Sequence, residues 1–151
     1  MSTKQAERAV GLFSNSYNCA QSVYAACATS DGLNEAQRLA IAAPFGGGIA
    51  RQGEVCGALA GALLALGEAN GAAMATDPVA ARSVLYARVK QLTETFRAAH
   101  GSILCRELTG CALDTEAGQR VFKERELHKN LCTGLVVFAA EQVVSFTAAG
   151  A

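Results

Sequence analysis

Phe45-Gly46-Gly47-Gly48-Ile49-Ala50-Arg51-Gln52-Gly53-Glu54-Val55-Cys56-Gly57-Ala58-Leu59-Ala60-Gly61 is a glycine-rich loop that gives way, near Glu54, to an apolar helix. Gly53, Gly57 and Gly61 recur every fourth residue. On a helix that spacing leaves a bare stripe against which another backbone can pack. Cys56 stands at the junction. The first turn of a helix carries unsatisfied N–H groups and the positive end of the macrodipole, and both favour a thiolate. Cys56 is therefore expected to be the most acidic thiol of the chain.

Outward from this stretch the pattern is helical throughout, with no alternating run that reads as a strand. Ala6, Ala9, Val10 and Phe13 give a short first helix. Asn18 caps a second that starts at Cys19 and ends at Asp31-Gly32; Asn34 caps a third that stops before Pro44. Gly67, Asn70 and Gly71 terminate the fourth. Asp77-Pro78 opens a long amphipathic helix to His100, with Gly101 as its stop. Asp114 or Thr115 opens a charged segment to about Leu127, and a last apolar helix spans roughly 130–147. The expectation is an all-α fold: one compact bundle of about six to seven helices, a single domain over 1–151.

Composition narrows the function. Lys and Arg number 13, as do Asp and Glu, so there is no electrostatic case for nucleic acid or an anionic membrane. With 51% hydrophobic residues, 6% aromatics and no tryptophan, the core must be built from Ala, Leu, Val and Ile. The apolar runs 55–67 and 131–140 stop at Glu68 and Glu141, short of the ~20 residues of a membrane span. The first residues are polar and mixed in charge, unlike a secretory signal. A cytoplasmic protein without nucleic-acid or membrane partners is expected. The last helix carries Leu135, Val136, Val137, Phe138, Val143, Val144 and Phe146 on more than one side. Such a helix is normally buried, which leads us to expect a homodimer held partly by this segment.

Six cysteines in a reducing compartment point to metal binding or redox catalysis more than to structural disulfides. Cys19, Cys56 and Cys132 lie near predicted helix starts, which would make an electropositive pocket if those ends converge. Cys105 is followed by Arg106, a candidate to stabilise its thiolate. No two cysteines are separated by only two residues, which excludes a thioredoxin-type dithiol, a zinc ribbon and covalent haem attachment. The glycine loop with Arg51 could also cradle a phosphate, although no P-loop lysine follows. Glu54 reads as a helix N-terminal charge, and His100 and His128 as solvated or capping residues.

Cys56-Gly57-Ala58-Leu59-Ala60-Gly61 resembles the CGAxxG signature of the C_GCAxxG_C_C family, small proteins described as redox-active. Asn18-Cys19-Ala20-Gln21-Ser22-Val23, the glycine loop, Cys105-Arg106-Glu107-Leu108, and Cys132 with the segment after it resemble the family's other segments in order. The resemblance implies four functional cysteines, Cys19, Cys56, Cys105 and Cys132, and leaves Cys27 and Cys111 as packing residues. The family is similar to the helical part of split-Soret cytochromes, whose haem motifs this chain lacks. We expect the four thiols to hold a metal centre, such as an iron–sulfur cluster, that serves a redox partner protein; zinc or monovalent copper would suit the same soft ligands. Two alternatives stand beside it. One is a thiol–disulfide oxidoreductase with Cys56 attacking; the other is a zinc-bound or metal-free helical scaffold that binds a partner.

Overall fold

The computed structural model describes residues 2–149, which form nine α-helices and no strand. Local chemistry explains most of the boundaries. Thr3 caps α1 (Lys4–Ser14). Reciprocal capping boxes open α2 (Cys19–Cys27), through Asn18 and Gln21, and α3 (Glu35–Ala42), through Asn34 and Gln37. Pro44 sits in a 3-10 turn, Ala43–Phe45, that ends this run. The apolar α4 (Gly57–Ala69) stops at Asn70, and a short α5 (Gly71–Thr76) follows. Asp77 caps α6 (Pro78–His100), which Gly101 closes at φ +85°. The single turn α7 (Cys105–Thr109) leads to α8 (Glu116–Glu124), capped by Thr115. A π-helical turn, His128–Cys132, runs directly into α9 (Thr133–Ala149).

The all-helical expectation holds, and each helix read from the sequence is present, although α2 ends at Cys27, where Ala28 turns extended, rather than at Asp31-Gly32. The count is higher because α5 and α7 are too short to show apolar periodicity. Helix α4 starts later than Glu54 because residues 53–56 are held extended against 103–106. Cys56 N–H donates to Ile103 O (2.8 Å), Cys105 N–H to Glu54 O (2.7 Å), and Arg106 N–H to Gly53 O (3.1 Å).

Helices α1, α2, α4 and α9 enclose the main core, in which Ala20, Val23, Ala58, Leu59, Ala62, Val136, Ala139 and Ala140 are buried. Small side chains let the backbones approach closely: a Cβ on Gly61 would lie 2.5 Å from Ala20 O. By length and composition the span His128–Ala148 could cross a membrane. Here α9 packs on α1, α2, α4 and α6, with Leu135, Val136 and Val143 buried. Much of the rest of the helix, Val137, Phe138, Val144 and Phe146 included, is only partly buried.

Against α2 and α4 lies a buried ion pair that the sequence did not announce. Arg38 Nε donates to both Glu68 carboxylate oxygens (3.2 and 3.1 Å), and the Tyr24 hydroxyl donates to Glu68 Oε2 (2.6 Å). Ser30 completes the set with a hydrogen bond to the same carboxylate. Hydrogen bonds from Arg38, opposed by burial, hold the Glu68 carboxyl at about 2. The pair ties α3 to α4 on the side away from the cysteine cleft.

Candidate cysteine site

The loop between the 3-10 turn and α4 shapes the site. Gly47, Gly48, Ile49, Ala50 and Arg51 all have φ between +49° and +69°, a left-handed turn in which only the first two are glycine. Each non-glycine residue there costs about 1–2 kcal/mol. Backbone hydrogen bonds hold the turn: Ala50 N–H to Pro44 O (2.8 Å), Arg51 N–H to Gly46 O (3.1 Å), and Glu54 N–H to Gly48 O (2.9 Å). Gly48 is required twice over, because its φ is +69° and a Cβ would sit 2.5 Å from Glu54 N and 2.8 Å from Cys105 Cβ. The N–H groups from Ile49 to Glu54 are bonded within the loop and do not serve as a phosphate cradle.

Around this loop the fold gathers four thiols on one cleft of about 770 Å³: Cys19, Cys56, Cys105 and Cys132. Cys19 is the first residue of α2 and Cys105 the first of α7, while Cys56 is the N-cap of α4. Cys132 ends the π turn immediately before α9. The starts of α2, α4 and α7 therefore converge here, whereas Cys132, expected near the start of the last helix, lies inside the helical run that the π turn continues into α9. Gly57 allows α4 to approach Cys19, since a Cβ there would lie 2.3 Å from the sulfur.

The electrostatics oppose the expected acidity of Cys56. Burial pushes its thiol up to about 12, aided by the neighbouring Cys19 and Cys105, and the N–H groups of Leu59 and Ala58 only partly offset this. Cys105 is pushed to about 11, again mainly by burial, and Cys19 and Cys132 are raised for the same reason. Without a cation the site favours neutral thiols. The backbone N–H groups of Gly47, Ala20 and Ala58 act against that rise at Cys19, an influence suited to a ligated thiolate. All six cysteines are free. Among the described residues, no three His, Cys, Asp or Glu side chains are gathered tightly enough to cage one ion.

Other candidate residues separate. Arg51 lines the cleft, whereas Arg106 does not. The Arg106 guanidinium instead bonds Glu54 (2.8 Å), Gln52 O (2.9 Å) and Gly53 O (3.2 Å), clamping the loop from outside. Glu54 is thus the ion-pair partner of Arg106 rather than a charge at the N-terminus of α4, whose first turn holds no acidic residue. Cys27 lies in the main core, its thiol 3.8 Å from Ala140 O, away from the cleft. Cys111 packs beside Cys105 with Leu113 and Leu127, closer to the site than the sequence implied.

Some lining residues escaped sequence reasoning. His128 stacks on Phe13, with ring centroids 3.8 Å apart and planes 13° from parallel, and both line the cleft with Lys123. The available signal was the position of His128 one helical turn before Cys132. His100 lies elsewhere, edge-on to Phe138 at 4.6 Å, and burial lowers its pKa.

An all-helical domain that brings four free cysteines to one cleft defines a cysteine-centred protein without a dithiol motif. The chain belongs to the C_GCAxxG_C_C family, described as "Putative redox-active protein", which matches residues 17–146. No curated protein and no solved structure matches it.

Proposed function

We propose that Cys19, Cys56, Cys105 and Cys132 hold a thiolate-ligated metal centre of iron–sulfur type, which exchanges electrons with a redox partner protein. The supporting observation is that all four line one cleft from four different segments. The donor set fits in kind, with soft sulfur ligands and no carboxylate on the cleft wall. An iron–sulfur cluster is held by four cysteine thiolates, the number that the cleft presents. When bound, such a centre supplies a one-electron couple.

The chain's own residues hold the sulfurs, and nearby backbone N–H groups favour the thiolates of Cys19 and Cys56 against burial. Those dipoles favour the deprotonated ligand and tune its potential. Binding must displace the thiol protons, so loading weakens as pH falls. Thiol–disulfide exchange ranks lower, because a Cys56 thiol at about 12 leaves little attacking thiolate near neutral pH.

A homodimer also belongs to this proposal, with its support moved from α9 to α6, where Val79, Val84 and Tyr86 are 67%, 53% and 59% exposed. Light scattering tests it, and a monomer mass at micromolar concentration would remove it. The metal centre is tested by anaerobic purification, elemental analysis and visible spectroscopy. Iron and sulfide with charge-transfer absorption are expected. Colourless protein with one reversible disulfide would favour the oxidoreductase, and redox-inert zinc the scaffold.

A further inference from the structure

The cleft is larger than a metal centre needs. At about 770 Å³ it falls within the range of roughly 300–1,000 Å³ typical of small-molecule sites. Its lining also has an asymmetric charge. Acidic and basic residues balance at 13 each over the chain, yet no Asp or Glu lines the cleft while Arg51 and Lys123 do. Neither cation has an ion-pair partner among the described residues, whose pairs are Arg8–Glu35, Arg38–Glu68 and Arg106–Glu54. Both are exposed, whereas Cys56 and Cys105 are buried, so the thiols form the floor and the cations the rim.

Between floor and rim stand aromatic surfaces, the stacked Phe13–His128 pair and Phe122. Aromatic walls favour a flat conjugated group, and unpaired rim cations favour a negative substituent. The N–H groups from Ile49 to Glu54 are already bonded, and Arg51 and Lys123 are the Lys and Arg side chains on the cleft wall that can meet a negative charge. We propose that the outer part of this cleft binds a small aromatic anion, one ion per chain. The site goes beyond the metal centre and does not depend on it.

Two fluorescent probes that differ by one sulfonate test the proposal: 8-anilinonaphthalene-1-sulfonate and neutral N-phenyl-1-naphthylamine. The full chain is expected to bind one sulfonate probe. The double variant Arg51→Gln with Lys123→Gln should weaken that probe about tenfold and leave the neutral one unchanged. Arg88→Gln with Lys90→Gln, on α6, should change neither. Equal losses for both probes, or no loss for the sulfonate, would overturn the site. Cys56→Ser separates the two proposals: it should abolish metal uptake while the sulfonate probe still binds. Charge-selective probe binding in a protein that never takes up metal would leave the anion site standing and remove the metal centre. Metal uptake without charge-selective binding would do the reverse.

Discussion

Substitution of Gly61 by alanine presses on the closest approach in the core. A Cβ at this position would stand 2.5 Å from Ala20 O and 3.1 Å from Val23 Cβ. The first of these contacts is to backbone, which cannot rotate away. Carbon and oxygen need roughly 1 Å more than this, so α2 and α4 must separate by a comparable amount. Overpacking on that scale costs about 1–3 kcal/mol, offset by up to about 1 kcal/mol from replacing a helical glycine. A net loss of about 1 kcal/mol lowers Tm by roughly 2–4 °C for a domain of this size. Gly67→Ala is the internal control, since it lies on the same helix and its Cβ would meet nothing within 4 Å. It should gain up to about 1 kcal/mol. Urea and thermal unfolding of the two variants decide the matter. If Gly61→Ala is as stable as Gly67→Ala, the close α2–α4 approach is not what the glycine serves.

The Arg38–Glu68 pair should make stability pH-dependent. The Glu68 carboxyl is held at about 2 in the folded state, below its ordinary value of 4.5, so its contribution is present above about pH 4.5 and is lost as pH falls toward 2. With Glu68 only 10% exposed, the loss is about 3 kcal/mol, and Glu68→Gln should flatten the dependence of urea midpoints over that window. A Glu68→Gln variant with the wild-type slope would remove the pair from this role. Cys56, pushed up to about 12 by burial as is Cys27, should alkylate no faster than Cys27 in metal-free native protein near neutral pH. Rapid labelling of Cys56, mapped by mass spectrometry, would restore the helix-start argument for an acidic thiol.

Features written in local chemistry were legible in the sequence. Asn18, Asp77 with Pro78, and Gly101 each act within a few residues, and each marks a boundary that the structure shows. The glycine stripe was legible as a packing device, but its partner, the Ala20 backbone, was not. The sign of the Cys56 shift was missed because a helix start is a local property and burial is a tertiary one. Here desolvation outweighs two N–H donors. Glu68 read as the residue that ends an apolar run, because nothing in sequence joins it to Arg38. Similarly, the seating of Cys105 beside Cys56 depends on pairing between 53–56 and 103–106, a long-range contact without periodicity.

Metal content of single cysteine variants purified without oxygen tests the central claim most directly. Cys19→Ser, Cys56→Ser, Cys105→Ser and Cys132→Ser should each lose most of the bound iron and sulfide, whereas Cys27→Ser, in the core away from the cleft, should keep them. Cys111→Ser should also retain them, with at most a shift in potential from its place beside Cys105. Equal losses at all six positions, or metal retained when any of the four is replaced, would contradict a single four-thiolate centre.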